Sequence, residues 1–265
     1  IDAFSASSVA VVNTGTIFGN ILLSAGADTF RSTLGTLSGT ISAASGTTLQ
    51  VASIITGGGA LTKSDQGILQ LNNTANDYTG NTNILSGTLQ GGAADTLAPL
   101  SRHVITGDTS SGTLNLAGFN QNIGSLASTG ATPANAIVSL VANTLTVGND
   151  RTQDAVYAGS ISGTGILRVN GNGAFQTLAI ADNSAQIWST EIANGVLSLA
   201  NDAKLGTGTV NLGIAGVSGA DDFTALHLQS TATLANNISV NTANSVGSAS
   251  ITASGTNASI TGTVV

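Results

Sequence analysis

A long stretch of this chain occurs twice. The residues from Gly57 to Leu89, GGGALTKSDQGILQLNNTANDYTGNTNILSGTL, return in worn form further on, with Leu61 matched by Leu167, Gly87 by Gly195 and Leu97 by Leu205. A long and nearly constant period is the mark of units that stack on one another and bury a shared core. The opening tag of the unit appears as Ser53-Ile54-Ile55-Thr56-Gly57, Ser160-Ile161-Ser162-Gly163-Thr164 and Ser259-Ile260-Thr261-Gly262-Thr263. Repeat units are therefore expected at about 53–97 and 159–205, with a third beginning near 259. Residues 1–265 read as one continuous segment of a longer array.

Inside the units the pattern is short and alternating, with apolar positions two apart and Gly, Asn, Asp or Ser between segments. Ile68-Leu69-Gln70-Leu71, Thr113-Leu114-Asn115-Leu116, Thr144-Leu145-Thr146-Val147, Val196-Leu197-Ser198-Leu199 and Ile238-Ser239-Val240 are examples. Each is too short to be stable without neighbours on both sides. Charged residues are only 7% of the chain, so little is available for the solvent face of an amphipathic helix, and no helical pattern appears to join parallel strands. An antiparallel sandwich or barrel would need hairpin turns, and the hairpin signal Asn-Gly appears as Asn170-Gly171 and Asn194-Gly195, yet most junctions are single Gly or Asn-rich corners. Single Gly and Asn-rich corners suit the bends of a coil instead. The expected fold is all-β with no significant helix, a parallel β-helix. At roughly 20 to 25 residues per turn it would have about twelve rungs and a length of about 55 to 60 Å.

The net charge of −7 comes from scattered residues and provides no basic stripe for phosphate or anionic lipid, so nucleic acid and direct membrane insertion are not expected partners. No apolar run approaches the length of a bilayer span, and an export signal or anchor is expected outside this segment. The chain has no Cys, which removes disulfides and thiolate sites and suits a protein threaded unfolded through an oxidising compartment.

Catalytic chemistry is sparse. The nearest approach to a nucleophile elbow, Gly216-Val217-Ser218-Gly219-Ala220, lacks the final Gly. His103 and His227 have no spaced partner for a metal; His103 reads as the end of a loop after Pro99, and His227 as the outward residue between Leu226 and Leu228. Asp221-Asp222 and the cluster Asp150, Arg151 and Asp154 read as solvated corners. Gly57-Gly58-Gly59 reads as a corner, since no helix pattern or Gly-Lys-Ser follows. No catalytic residue, metal site or cofactor is predicted. Tyr78 and Trp188 fall near equivalent positions of the two copies; they either cap the strand stack or offer aromatic contacts. With Asn76 and Asn81 they are the candidate surface contacts, although Asn72, Asn73, Asn76 and Asn81 also suit stacked amide ladders.

The run Gly59-Ala60-Leu61-Thr62-Lys63, followed by Gly67-Ile68-Leu69-Gln70-Leu71, Asn76-Asp77-Tyr78-Thr79-Gly80-Asn81-Thr82 and Gly87-Thr88-Leu89, resembles the passenger-associated transport repeat of bacterial autotransporters. The segment Gly112 to Val147 resembles the stretch that often separates such repeats, while the second copy departs at Gly165-Ile166-Leu167-Arg168-Val169 and Ile187-Trp188-Ser189. The resemblance implies a right-handed β-helical passenger on the surface of a Gram-negative bacterium, either retained there or released. It implies a role in adhesion or self-association, with partners being the same protein on neighbouring cells or a host surface protein or glycan. A β-helical glycan lyase or hydrolase, and a released passenger acting on host cells, are the alternatives.

Overall fold

Leu49, Leu69, Leu89, Leu114, Val138 and Ile161 stand one above the next in a single inward column, each at most 1% exposed. They belong to strands of the kind the alternation predicts: in Thr48–Val51, Ile68–Leu71 and Gly112–Asn115 every second side chain is buried and its neighbours face out. The computed structural model describes residues 10–13, 17–18, 21–22, 29–32, 37–42, 45–52, 54–150, 155–179, 185–200, 205–214, 223–229, 231–241, 248–254 and 257–265, with side chains from residue 45 onward except 172–175.

The strands form three faces around one core. The first face stacks eight strands in the order Ala10–Asn13, Thr29–Ser32, Thr48–Val51, Ile68–Leu71, Gly87–Gly91, Gly112–Asn115, Ile137–Ser139 and Ser160–Ser162. The second stacks seven and includes Leu61–Ser64, Thr82–Ile84, His103–Thr106 and Leu126–Thr129 in succession. The third gathers nine, running from Gln121–Asn122 and Thr144–Val147 through the long strands Ile166–Leu178 and Ser189–Leu199 to Ile238–Val240 and Ser248–Ser254. Thr233–Leu234 pairs separately with Ser259–Ile260. Every strand pair among the described residues is parallel, from Ala10–Asn13 against Thr29–Ser32 to Phe223–Gln229 against Ser248–Ser254. With no helices available for crossovers, a coil is how short parallel strands come to lie beside one another. The fold is a parallel β-helix.

One turn of the coil carries the first face from Ala10 to Thr29, from Leu69 to Leu89 and from Leu89 to Leu114, close to the turn length the sequence suggests. The uninterrupted ladder there is eight strands, about eight turns, against the expected dozen. It ends at Ser160–Ser162, and beyond it the spacing is uneven, since Thr190 pairs with Val210 but Val210 pairs with Ile238 and Leu197 with Leu226. Among the described residues the only helical turn is the 3-10 turn Pro133–Asn135.

Corners set which side chains point inward. At the bend into the first face, Gly67, Gly87 and Gly112 stack in register. Gly87 has φ +66, and a Cβ there would run into the carbonyl oxygens of Asp65 and Gly67 in the rung below, so only Gly fits the close approach. Asn170-Gly171 and Asn194-Gly195 make no hairpins; they lie within the two long strands, where the register shifts between Val169 and Asn170 and again between Asn170 and Phe175.

Candidate functional site: a groove on the second face

Three of the four predicted contact residues are inside the molecule. Tyr78 and Trp188 are fully buried and Asn76 is 2% exposed. The hydroxyls of Tyr78 and Thr82 share a hydrogen bond of 2.7 Å, and Thr82 shares another of 2.8 Å with Ser101. Burial holds the Tyr78 phenol up at about 12 despite those two hydroxyls. Trp188 donates its indole Nε1–H to the carbonyl of Ile161 at 3.1 Å. Asn76 accepts from the Ile55 amide at 2.7 Å and donates to the Thr96 carbonyl at 2.8 Å. One rung on, the Gln121 side chain accepts from the amides of Thr96 and Leu97 and donates to the Ala93 carbonyl. These amides serve backbone groups of neighbouring rungs on a side where Ile55, Asn76 and Thr96 lie outside any strand. Tyr78, Trp188 and Asn76 cannot contact a partner, because each fills the core and satisfies a group there.

Asn81 is exposed, and it borders an open groove of about 780 Å³ along the second face. The outward column Asn83, Val104 and Ala127, set in register by adjacent strands, crosses it. Asn81, Leu100 and Arg102, which precede those strands, line one side, and Ser128, Thr129 and Val156 line the other. Asp150 also lines the groove and accepts a hydrogen bond of 2.7 Å from the Ser125 hydroxyl. Backbone groups beside it are engaged: the carbonyls of Asn81, Arg102 and Ser125 accept from the amides of Leu61, Thr82 and His103. On the outer side of the last strand of this face, Leu126–Thr129, the Leu126 amide and carbonyl are held by the Gln176 side chain. The Arg102 guanidinium makes no hydrogen bond or ion pair among the described residues, in contrast to Arg168, whose Nε donates to Glu191 Oε2 at 2.7 Å.

His103 differs from the loop position expected of it. It lies in the strand His103–Thr106 with its ring in the core, Nδ1–H donating to the Ser101 carbonyl at 3.0 Å and Nε2 without a partner. Burial lowers its pKa to about 4, with that hydrogen bond and the charge of Asp150 opposing. His227 faces out between buried Leu226 and Leu228, as expected, with Thr252 and Ser254 hydroxyls 2.8 and 3.0 Å from its nitrogens. Ser53, Arg151, Asp154, Gly216 to Ala220 and Asp221-Asp222 lie outside the described residues. Among the described residues no three His, Asp or Glu side chains are grouped as a metal site requires, and no helix is long and apolar enough to cross a membrane.

The passenger-associated-transport-repeat family matches residues 61–90, the rungs that carry Lys63, Asn76, Tyr78, Asn81 and Gly87. The adhesin BmaC autotransporter of Brucella suis biovar 1 (strain 1330) is 33% identical over 189 residues, which is 71% of this chain and 5% of that protein. This chain is autotransporter passenger sequence. It spans about a twentieth of the length of that curated relative. No solved structure matches it significantly.

Within the passenger, the transport-repeat match covers four strands, Leu61–Ser64, Ile68–Leu71, Thr82–Ile84 and Gly87–Gly91, whose last residue lies one past the match. Its Lys63 is fully buried, in register with Ile84 of the next rung, and its ammonium reaches the bend to donate to the carbonyls of Ser64 at 2.5 Å, Asp65 at 2.7 Å and Ser86 at 3.2 Å. The stem thus packs as an aliphatic side chain while the head ties two rungs. Burial pulls its pKa down to about 8, with Asp65 opposing. The passenger also carries a feature the sequence reading missed. Gln50, Gln70, Gln90 and Asn115 form an outward amide row on the first face, in register from rung to rung. Its signal was present in the chain as TLQ ending at Gln50, ILQ at Gln70, TLQ at Gln90 and TLN at Asn115.

Proposed function

We propose that this passenger segment works in adhesion, as a rigid β-helical stalk whose side faces make the contacts, between cells displaying the same protein or against a host surface. Display on the surface of a Gram-negative cell is part of the same proposal, and the role is non-enzymatic. The observation that carries it is the straight outward row Gln50, Gln70, Gln90 and Asn115. Parallel register repeats one polar group at each rung, about 4.8 Å apart, and many weak contacts along such rows act together when two rods lie side by side. Similarity to a protein named as an adhesin supports the reading.

The test is settling of non-aggregating bacteria that display the full-length protein, with and without residues 53–205, surface display being verified with an antibody. Settling that is lost on deletion supports homotypic contact through this segment. Settling that survives the deletion, or absence of settling together with absence of binding to host cells by the full-length protein, overturns the adhesive role of this segment.

A further inference from the structure

The adhesive reading leaves the ligand open, and the groove on the second face narrows it. We propose that this groove binds an acidic glycan, whose carboxylate is taken by the guanidinium of Arg102; the inference rests on the adhesive reading.

Three features of the groove select the ligand. The Arg102 guanidinium lines it without a hydrogen bond or ion pair among the described residues. A guanidinium presents a planar fork of donors that matches a carboxylate with two parallel hydrogen bonds. The remaining polar lining is short and uncharged apart from Asp150: the amides of Asn81 and Asn83 and the hydroxyls of Thr79, Ser128 and Thr129. Such groups exchange hydrogen bonds with the hydroxyls of a sugar ring. Exposed Leu100 and Val156, together with Val104 and Ala127, supply apolar surface for the C–H faces of the rings.

A peptide strand fits less well. The backbone carbonyls of Asn81, Arg102 and Ser125 are taken by the adjacent rungs, and on the outer side of the last strand, Leu126–Thr129, the Leu126 amide and carbonyl are held by the side chain of Gln176. A neutral glycan usually leans on an aromatic platform, and the lining contains no aromatic residue, so charge must do the anchoring. The groove also crosses four rungs, those of Asn83, Val104, Ala127 and Val156. At about 4.8 Å per rung this is a linear span of about 14 Å, the reach of a short oligosaccharide laid along the rod.

The experiment is calorimetric titration of the purified chain with a tetrasaccharide of polygalacturonic acid, and with its methyl ester as the uncharged counterpart. Binding is expected for the acid, weakened by added salt. Esterification and R102Q should each weaken it roughly tenfold to a hundredfold. R102K should weaken it less, since the charge stays while the fork is lost. R168Q, which removes a paired arginine on another face, should leave it unchanged. Circular dichroism of every variant checks the fold. No binding of the acid, or equal binding by R102Q or by the ester, overturns the proposal. Cell settling by the R102Q protein separates the two readings: settling intact with no glycan binding leaves adhesion standing and removes the acidic glycan, whereas loss of all settling and host binding by the unaltered full-length protein removes adhesion whatever the titration shows.

Discussion

Trp188 closes the ladder of the first face: its indole N–H reaches the carbonyl of Ile161 at 3.1 Å, in the last strand of that ladder, Ser160–Ser162. Ile161 heads the inward column that begins at Leu49. At the end of this eight-stranded ladder the indole supplies both a donor to the carbonyl and the volume to cover it.

Trp188→Phe keeps most of the ring and removes the donor. It is expected to cost about 1 to 3 kcal/mol, from the lost hydrogen bond and the smaller volume. Trp188→Ala should cost about 3 to 5 kcal/mol. Urea unfolding followed by circular dichroism measures both; a loss for Phe within about 0.5 kcal/mol, the measurement error, would mean that the hydrogen bond does not hold the ladder end.

Acid should loosen the rod through His103. Its folded pKa is about 4, below the ordinary 6.5, because its ring is buried. The unfolded chain therefore takes up the proton first, and stability is full above pH 6.5 and falls as pH drops toward 4. One such group contributes about 3 kcal/mol over that window. Unfolding midpoints across the window, compared between the protein and His103→Leu, should differ in slope by that amount. Parallel curves would show that His103 is not the group responsible.

Val141 adopts φ +58 at an exposed corner, a conformation unfavourable for a β-branched side chain. In the next rung the corresponding bend uses Gly163, at φ +107. Val141→Asn should raise stability by about 1 kcal/mol, since Asn tolerates this region and no buried contact is lost. A thermal midpoint that stays put or falls would contradict the strain.

Gly87→Ala should be severe for the opposite reason. The left-handed φ and the Asp65 carbonyl below leave no room for a methyl group, and a loss of at least about 2 kcal/mol is expected. Because neighbouring rungs depend on each other, hydrogen exchange should quicken in Ile68–Leu71 and Gly112–Asn115 as well as in the mutated strand. Exchange that changes only locally would show that the rungs are not coupled.

Much of the architecture was legible along the chain. Alternating segments such as Ile68-Leu69-Gln70-Leu71, the Gly corners and the lack of helical patterning point to a coil of parallel strands, since period-two burial and corner geometry are local properties. The recurrence of TLQ and TLN even carried the rung length. The groove was not legible, because Asn81, Arg102, Ser128 and Val156 come from four successive rungs and meet only once those rungs are stacked. Nor was the direction of the corner residues. Tyr78, Trp188 and Asn76 resemble surface groups by their polarity and position, yet they turn inward to satisfy carbonyls, amides and hydroxyls of neighbouring rungs. Alternation decides the face of a side chain within a strand; at a bend it lapses, and the rung above or below supplies the partner that determines which way the residue points.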